Sequence, residues 1–252
     1  MTADEYLQGI LNREAVDTGL FSPVRGVQAV IDPIVRQWAG AMLLGVQPSG
    51  SFMKGTANKS GTDIDLVISI SHQTSDTLKE IYQKLFARMK EKGYIPTPQN
   101  VSINVRVNGH SVDLVPAKHQ GGFSADHSLY RRKADTWTKT NVLTHITHVT
   151  AAGRLKESRI LKLWRDQKKL DFPSFYLELT VINALAQQYG TLSANVWKVF
   201  QYLTAGFQNA RIVDPANTNN IISDDLSDAG KTLVKAAAVQ TLKAANWGEI
   251  VK

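Results

Sequence analysis

Apolar residues recur at helical spacing over residues 3–20 (Leu7, Ile10, Leu11) and 23–40 (Val27, Val30, Ile31, Ile34), so the chain opens with two predicted helices. Pro33 is placed to kink the second. The apolar run 41–48 ends at a proline and predicts a buried strand, followed by a turn at Ser49–Ser51 and a helical turn near Phe52–Lys54. Over 63–70 the alternation is strict: Ile64, Leu66, Ile68 and Ile70 share one face, while Asp63, Asp65, Val67 and Ser69 share the other. A helix over 75–92 is stopped by Gly93 and Pro96. Residues 101–115 predict a hairpin about Asn108-Gly109, pairing Val107 with His110, Val105 with Val112 and Asn104 with Asp113. That register buries Ile103, Val105, Val112 and Leu114 and gathers Ser102, Asn104, Arg106 and Asp113 on the opposite face. Residues 116–142 read as polar and irregular, with Gly121-Gly122 and Arg131-Arg132-Lys133. Beyond them the pattern is helical: 144–170 with a break near Gly153, then 174–189, 193–206 and 225–245. The expectation is an α+β chain, with a mixed sheet and flanking helices in front and a helical lobe behind.

Composition narrows this only a little. At 252 residues and 43% hydrophobic content the chain can bury a full core. With no cysteine, disulfides and thiolate chemistry are excluded. The net charge of +7 suits nucleotide phosphates or nucleic acid, although a merely basic surface explains it better when charge is taken alone. No apolar run has membrane-spanning length and no charged apolar leader stands at Met1, so the expected setting is cytoplasmic, with no membrane partner.

The acids are the chemical signal. Side chains two apart on a strand share a face, roughly 6–7 Å apart. Asp63 and Asp65 therefore lie together, and Asp113 can join them from a neighbouring strand. Such carboxylates repel one another, and a divalent cation removes the conflict. Oxygen-only ligands suit Mg2+ or Mn2+, and two such ions serve phosphoryl transfer. Asp-x-Asp alone is equally consistent with a turn cap beside a strand edge, and Gly50-Ser51 alone is more often an ordinary turn. In sequence they stand as an anion cradle, an acid pair and a third acid, an order that fits a metal–triphosphate site.

The segments G-S-F-M-K-G-T (Gly50–Thr56), T-D-I-D-L-V (Thr62–Val67) and V-D-L-V (Val112–Val115) resemble the polymerase-β-like nucleotidyltransferase superfamily. Within it the chain is most similar to the branch of oligoadenylate synthases, cyclic GMP-AMP synthase and the bacterial synthases of cyclic oligonucleotides. "RLKESRILKLWRDQ" (Arg154–Gln167), "FPSFYLELTVINAL" (Phe172–Leu185) and "IVDPANTNNI" (Ile212–Ile221) resemble later segments of that branch.

The resemblance implies a nucleotidyltransferase core over 1–142 and a helical lobe over 143–252 that closes the nucleotide cleft. It makes Asp63, Asp65 and Asp113 the catalytic metal ligands, gives the triphosphate to Gly50 and Ser51, and sets Lys162 and Ser174 at its β and γ phosphates. It implies NTP substrates, ATP first, an RNA or protein activator, and a cyclic or short linear oligonucleotide product used in antiphage signalling. The alternative is nucleotide addition to an RNA 3′ end, as by CCA-adding enzymes, or to a protein or small molecule. Lys162 also belongs to a basic stripe with Arg159, Arg165 and Lys169 at three- and four-residue spacing, a pattern equally expected of a solvated helix face. Tyr176 can stack on a base, but packing in the helical core is the favoured reading.

Overall fold

The computed structural model describes residues 1–19, 21–61 and 63–252. Leu20, the last residue of the first predicted helix, and Thr62, the first of the T-D-I-D-L-V motif, lie outside them. In chain order the elements are α1 (Ala3–Arg13), α2 (Pro23–Ala39), β1 (Leu43–Pro48), α3 (Gly50–Lys54), β2 (Ile64–Ile70), α4 (Leu78–Glu91) and β3 (Thr97–Pro98). There follow β4 (Ile103–Val107), β5 (His110–His119), β6 (His127–Arg131), β7 (Thr136–Thr140), α5 (Val142–Ala151) and α6 (Leu155–Gln167). The chain then runs through α7 (Ser174–Ala184), α8 (Leu192–Ala205), β8 (Val213–Asp214), β9 (Asn217–Ile221) and α9 (Asp228–Thr241).

These elements form two compact units. One comprises Met1–Val16, Gly55–Gly61 and Thr147–Lys252; the other comprises Asp17–Lys54 and Thr62–Ile146. The units thus interleave along the chain, in place of a single cut between 142 and 143.

In the sheet unit, β2 runs parallel to β5 and antiparallel to β1. The other edge of β5 is shared: its first half pairs with β4 and its end with β6, which continues to β7. The predicted hairpin register is the observed one, Val107 with His110, Val105 with Val112 and Asn104 with Asp113. Asn108 (φ 50°) and Gly109 (φ 82°) both take the left-handed conformation that a tight two-residue hairpin loop demands. Alternation on β2 sorts burial as expected, with Ile64, Leu66, Ile68 and Ile70 at most 3% exposed. α2 lies on β1 and β2, and α4 lies on β5 and β6. The strands β6 and β7 occupy the stretch expected to be irregular. Each is five residues long, and β7 (TWTKT) is largely polar, so neither carries a strong apolar alternation.

The helical unit packs α1 and α6–α9 around Trp164, Tyr176, Phe200 and Phe207, each fully buried. Tyr176 stacks on Phe207 at 5.5 Å, so it packs in the core as favoured. The first predicted helix ends early, at Arg13, where its apolar periodicity also ends. The break near Gly153 (φ 67°) is present, separating α5 from α6. Among the described residues no helix is long and apolar enough to cross a membrane.

Candidate active site

Parallel pairing of β2 with β5 sets Asp65 directly opposite Asp113. The flanking pairs Ile64–Val112 and Leu66–Leu114 are buried, and that burial holds the register which turns both carboxylates to the same face. Asp113 is half-buried, and its Oδ1 accepts hydrogen bonds from Asn104 Nδ2 (2.8 Å) and Gln99 Nε2 (3.2 Å). Its pKa is raised above the ordinary carboxyl value, first by burial and also by the charge of Asp63, against the opposing Asn104 bond. Asp63 is itself exposed.

The Gly-Ser turn is fastened to the same strand. Ser49 N–H donates to the Asp65 carbonyl at 2.9 Å. Gly50, at φ 57°, packs on the Asp65 side chain so closely that a Cβ there would sit 2.9 Å from Asp65 Cβ and nearer still to its carboxylate. Only glycine fits, because both the backbone conformation and the contact exclude a side chain. Ser51 follows within α3, which starts at Gly50, two residues earlier than the sequence suggests.

The donors at this site are all carboxylate oxygens, and Gly50 keeps side-chain atoms out of the space beside Asp65. That chemistry fits a hard divalent cation such as Mg2+. Among the described residues, however, no three His, Asp or Glu side chains stand close enough to hold a metal as a group. Asp65 and Asp113 are paired, and Asp63 is within electrostatic reach of Asp113, but the three do not make a closed cage. A Mg2+ shell of this kind is normally completed by water and substrate phosphates.

The helical unit gives the other two expected residues different surroundings. Lys162 is buried: its Nζ lies 2.5 Å from Glu178 Oε1 and 3.0 Å from Thr56 Oγ1, and Thr56 Oγ1 in turn donates to Glu178 at 2.5 Å. It sits in a buried ion pair and not on an open basic stripe. Arg159 is likewise held, by Asn58 and by the carbonyls of Leu11 and Glu14, and Lys169 lies beyond the end of α6. The reading of a solvated face fails for Lys162 and Arg159 for the same reason, whereas Lys169 is exposed. Ser174 Oγ accepts from Arg165 at 2.8 Å. The residues that the sequence pattern does not single out are Glu178 and Thr56, which become partners of Lys162 only in the fold.

No protein-family model matches the chain. Over 202 residues, 70% of its length, it is 25% identical to a cyclic AMP-AMP-AMP synthase from Escherichia coli (strain MS 115-1), and the match spans 63% of that protein. CdnC of E. coli MS115-1, solved with ATP, shares 20% identity and superposes with a TM-score of 0.77, covering 96% of this chain and 91% of that one. The CD-NTase CdnG of Bradyrhizobium diazoefficiens, solved with GTP, gives a TM-score of 0.79 at 13% identity, with 96% and 91% coverage. The fold is therefore that of the polymerase-β-like nucleotidyltransferases, and the resemblance read from the motifs is borne out. Within that class the chain is similar to a synthase of a cyclic oligonucleotide.

Proposed function

We propose that the chain is a divalent-metal-dependent nucleotidyltransferase that joins NTPs into a cyclic oligonucleotide with release of pyrophosphate. The carrying observation is the register-locked Asp65–Asp113 pair with Gly50 packed on Asp65. Asp63, Asp65 and Asp113 would hold Mg2+ or Mn2+, two ions in the fullest form. Bound there, the metal stabilises charge on the transferring phosphoryl group and its leaving pyrophosphate. The chain's own residues do the positioning. Asn104 and Gln99 fix the Asp113 carboxylate through its Oδ1. The Ser49–Asp65 backbone bond sets the Gly50–Ser51 turn beside the acids, where main-chain N–H groups and the Ser51 hydroxyl can take phosphate oxygens. The motif resemblance also gives the triphosphate Ser174, whose Oγ accepts from Arg165. Lys162 is assigned instead to holding Glu178 and Thr56.

Similarity to a cyclic AMP-AMP-AMP synthase supports ATP as the first substrate to test; an antiphage signalling role is what the motif resemblance implies. CdnC has also been solved in a complex with HORMA, which supports a protein activator for this chain. The test is incubation with each NTP and mixtures of them, with Mg2+ or Mn2+, with pyrophosphate assayed and products identified by mass spectrometry. A cyclic adenylate is expected. Label transferred only to RNA or protein, with no free oligonucleotide, would overturn the product assignment.

A further inference from the structure

Asp113 is fixed by residues that lie outside the acid cluster. Its Oδ1 accepts from Asn104 Nδ2 at 2.8 Å and from Gln99 Nε2 at 3.2 Å. Two donors on one oxygen set the rotation of the carboxylate, and with it the direction in which Oδ2 faces. Asn104 needs no further support, because it sits on β4 directly opposite Asp113. Gln99 is different. It is exposed and belongs to the link 99–102 between β3 and β4, where no strand pairing holds it.

That link is closed on itself and gripped from outside. Gln99 N–H donates to the Ser102 carbonyl at 3.0 Å. Ser102 Oγ lies 3.4 Å from Gln99 Oε1 and also bonds toward Asp113. The Gln99 carbonyl has two donors, Tyr82 Oη at 3.0 Å and Arg132 Nε at 3.0 Å. The Tyr82 hydroxyl is also 2.9 Å from the Ser102 carbonyl, and one phenolic proton cannot serve both carbonyls at once. Arg132 supplies the donor that Tyr82 gives only part of the time.

The backbone continues the grip. Arg132 N–H donates to the Asn100 carbonyl at 2.7 Å, and Lys133 N–H to Asn100 Oδ1 at 3.1 Å. Both residues belong to the turn 132–135 between β6 and β7. That turn is fastened to α4, since Asp135 Oδ1 accepts from Tyr130 Oη at 2.5 Å and from Lys79 Nζ at 3.0 Å. The Tyr130 ring also meets the Tyr82 ring edge-on at 5.7 Å. A line of directed contacts thus runs from an exposed turn, through Gln99, to the Asp113 carboxylate.

We propose that Arg132 is a positioning residue for nucleotidyl transfer, holding the link 99–102 so that Gln99 keeps the Asp113 carboxylate in the rotation the reaction uses. The inference rests on the nucleotidyltransferase reading and adds to it a residue that acts through Gln99. It also gives one member of the Arg131-Arg132-Lys133 run a task set by a directed N–H and not by charge.

The test uses the full chain labelled with 15N-glutamine, the Gln99 side-chain amide signals being assigned with a Gln99→Leu variant. Arg132→Ala is expected to move those signals toward the positions of a free glutamine amide. Because Arg132 is exposed, its melting temperature should stay near wild type. In turnover with ATP, Arg132→Ala and Gln99→Leu should each lower kcat for pyrophosphate release about tenfold, with KM within about twofold. The double variant should fall no further than either single one, since one residue acts through the other. Gln99 signals unmoved by Arg132→Ala, or losses that multiply in the double variant, overturn the proposal. A wild type that releases no pyrophosphate while Gln99 still responds to Arg132→Ala removes the nucleotidyltransferase reading and keeps the line of contacts. Release intact with Gln99 unresponsive removes the positioning role alone.

Discussion

A methyl group at position 50 would enter the space held by the Asp65 carboxylate. Gly50→Ala adds to that clash the cost of a left-handed backbone, about 1–2 kcal/mol. The variant is therefore expected to lose pyrophosphate release beyond what its loss of thermal stability explains. Asp65→Asn and Asp113→Asn remove charge without volume, and each should lower turnover by more than about a hundredfold while leaving the melting temperature near wild type or above it. His127 makes a prediction of the opposite kind, on stability and not on turnover. Burial holds its folded pKa below the ordinary 6.5, so between the two values the unfolded chain binds more protons. Stability should fall as pH drops through 6.5 toward the folded value and level off below it. Urea denaturation from pH 7.5 to 5 should show this slope, and His127→Gln should flatten it.

Among the elements, the hairpin β4–β5 and the strand β2 were legible because alternation, an Asn-Gly loop and strong apolar pairs all demand one register. From them the Asp65–Asp113 neighbourhood followed, since β2 and β5 need only pair. The strands β6 and β7 were hidden by polar sequence, and with them the contact of His127 with Ser69, because His127 sits on β6 and meets Ser69 only through tertiary pairing. Helix α6 shows the converse failure. Charges at three- and four-residue spacing read as a surface stripe, but Glu178 on α7 supplies a buried counter-charge that sequence spacing cannot reveal. Both side chains of that ion pair are nearly inaccessible, at 6% and 0%. Glu178→Ala should therefore destabilise the protein by about 3–5 kcal/mol, since it strands a buried ammonium. Replacing both partners, Lys162→Met with Glu178→Leu, should cost clearly less. Chemical denaturation of the single and double variants checks this, and an equal loss in both would mean that packing, not charge pairing, sets the cost.

At the scale of the molecule, composition and a front-to-back change of pattern make two parts legible, but not how the chain is shared between them. α1 begins the sequence, yet its Leu7, Ile10 and Leu11 are at most 2% exposed within the core that holds Trp164, Tyr176 and Phe200. Tyr6 adds a hydrogen bond from its hydroxyl to the Val251 carbonyl (3.0 Å), joining the two ends of the chain inside one unit. The segment Gly55–Gly61 belongs to the same unit, held by Thr56 to Glu178 and by Asn58 to Arg159. It is also the stretch of chain between the Gly-Ser turn and the Asp-x-Asp strand. A fragment of residues 143–252 therefore lacks a helix and a strap that its core requires. Burial of three aliphatic side chains contributes about 1.5–3 kcal/mol each, an upper estimate, and together they approach the entire stability of a domain. The fragment is expected to keep helical far-UV circular dichroism but to lose near-UV signal and bind a hydrophobic dye, whereas the full chain unfolds cooperatively. Deleting residues 1–13 from the full chain should lower the denaturation midpoint of the helical unit, followed by near-UV tryptophan circular dichroism in a variant with Trp38 and Trp137 replaced by Phe, and an unchanged midpoint would mean that α1 is not part of that unit's core.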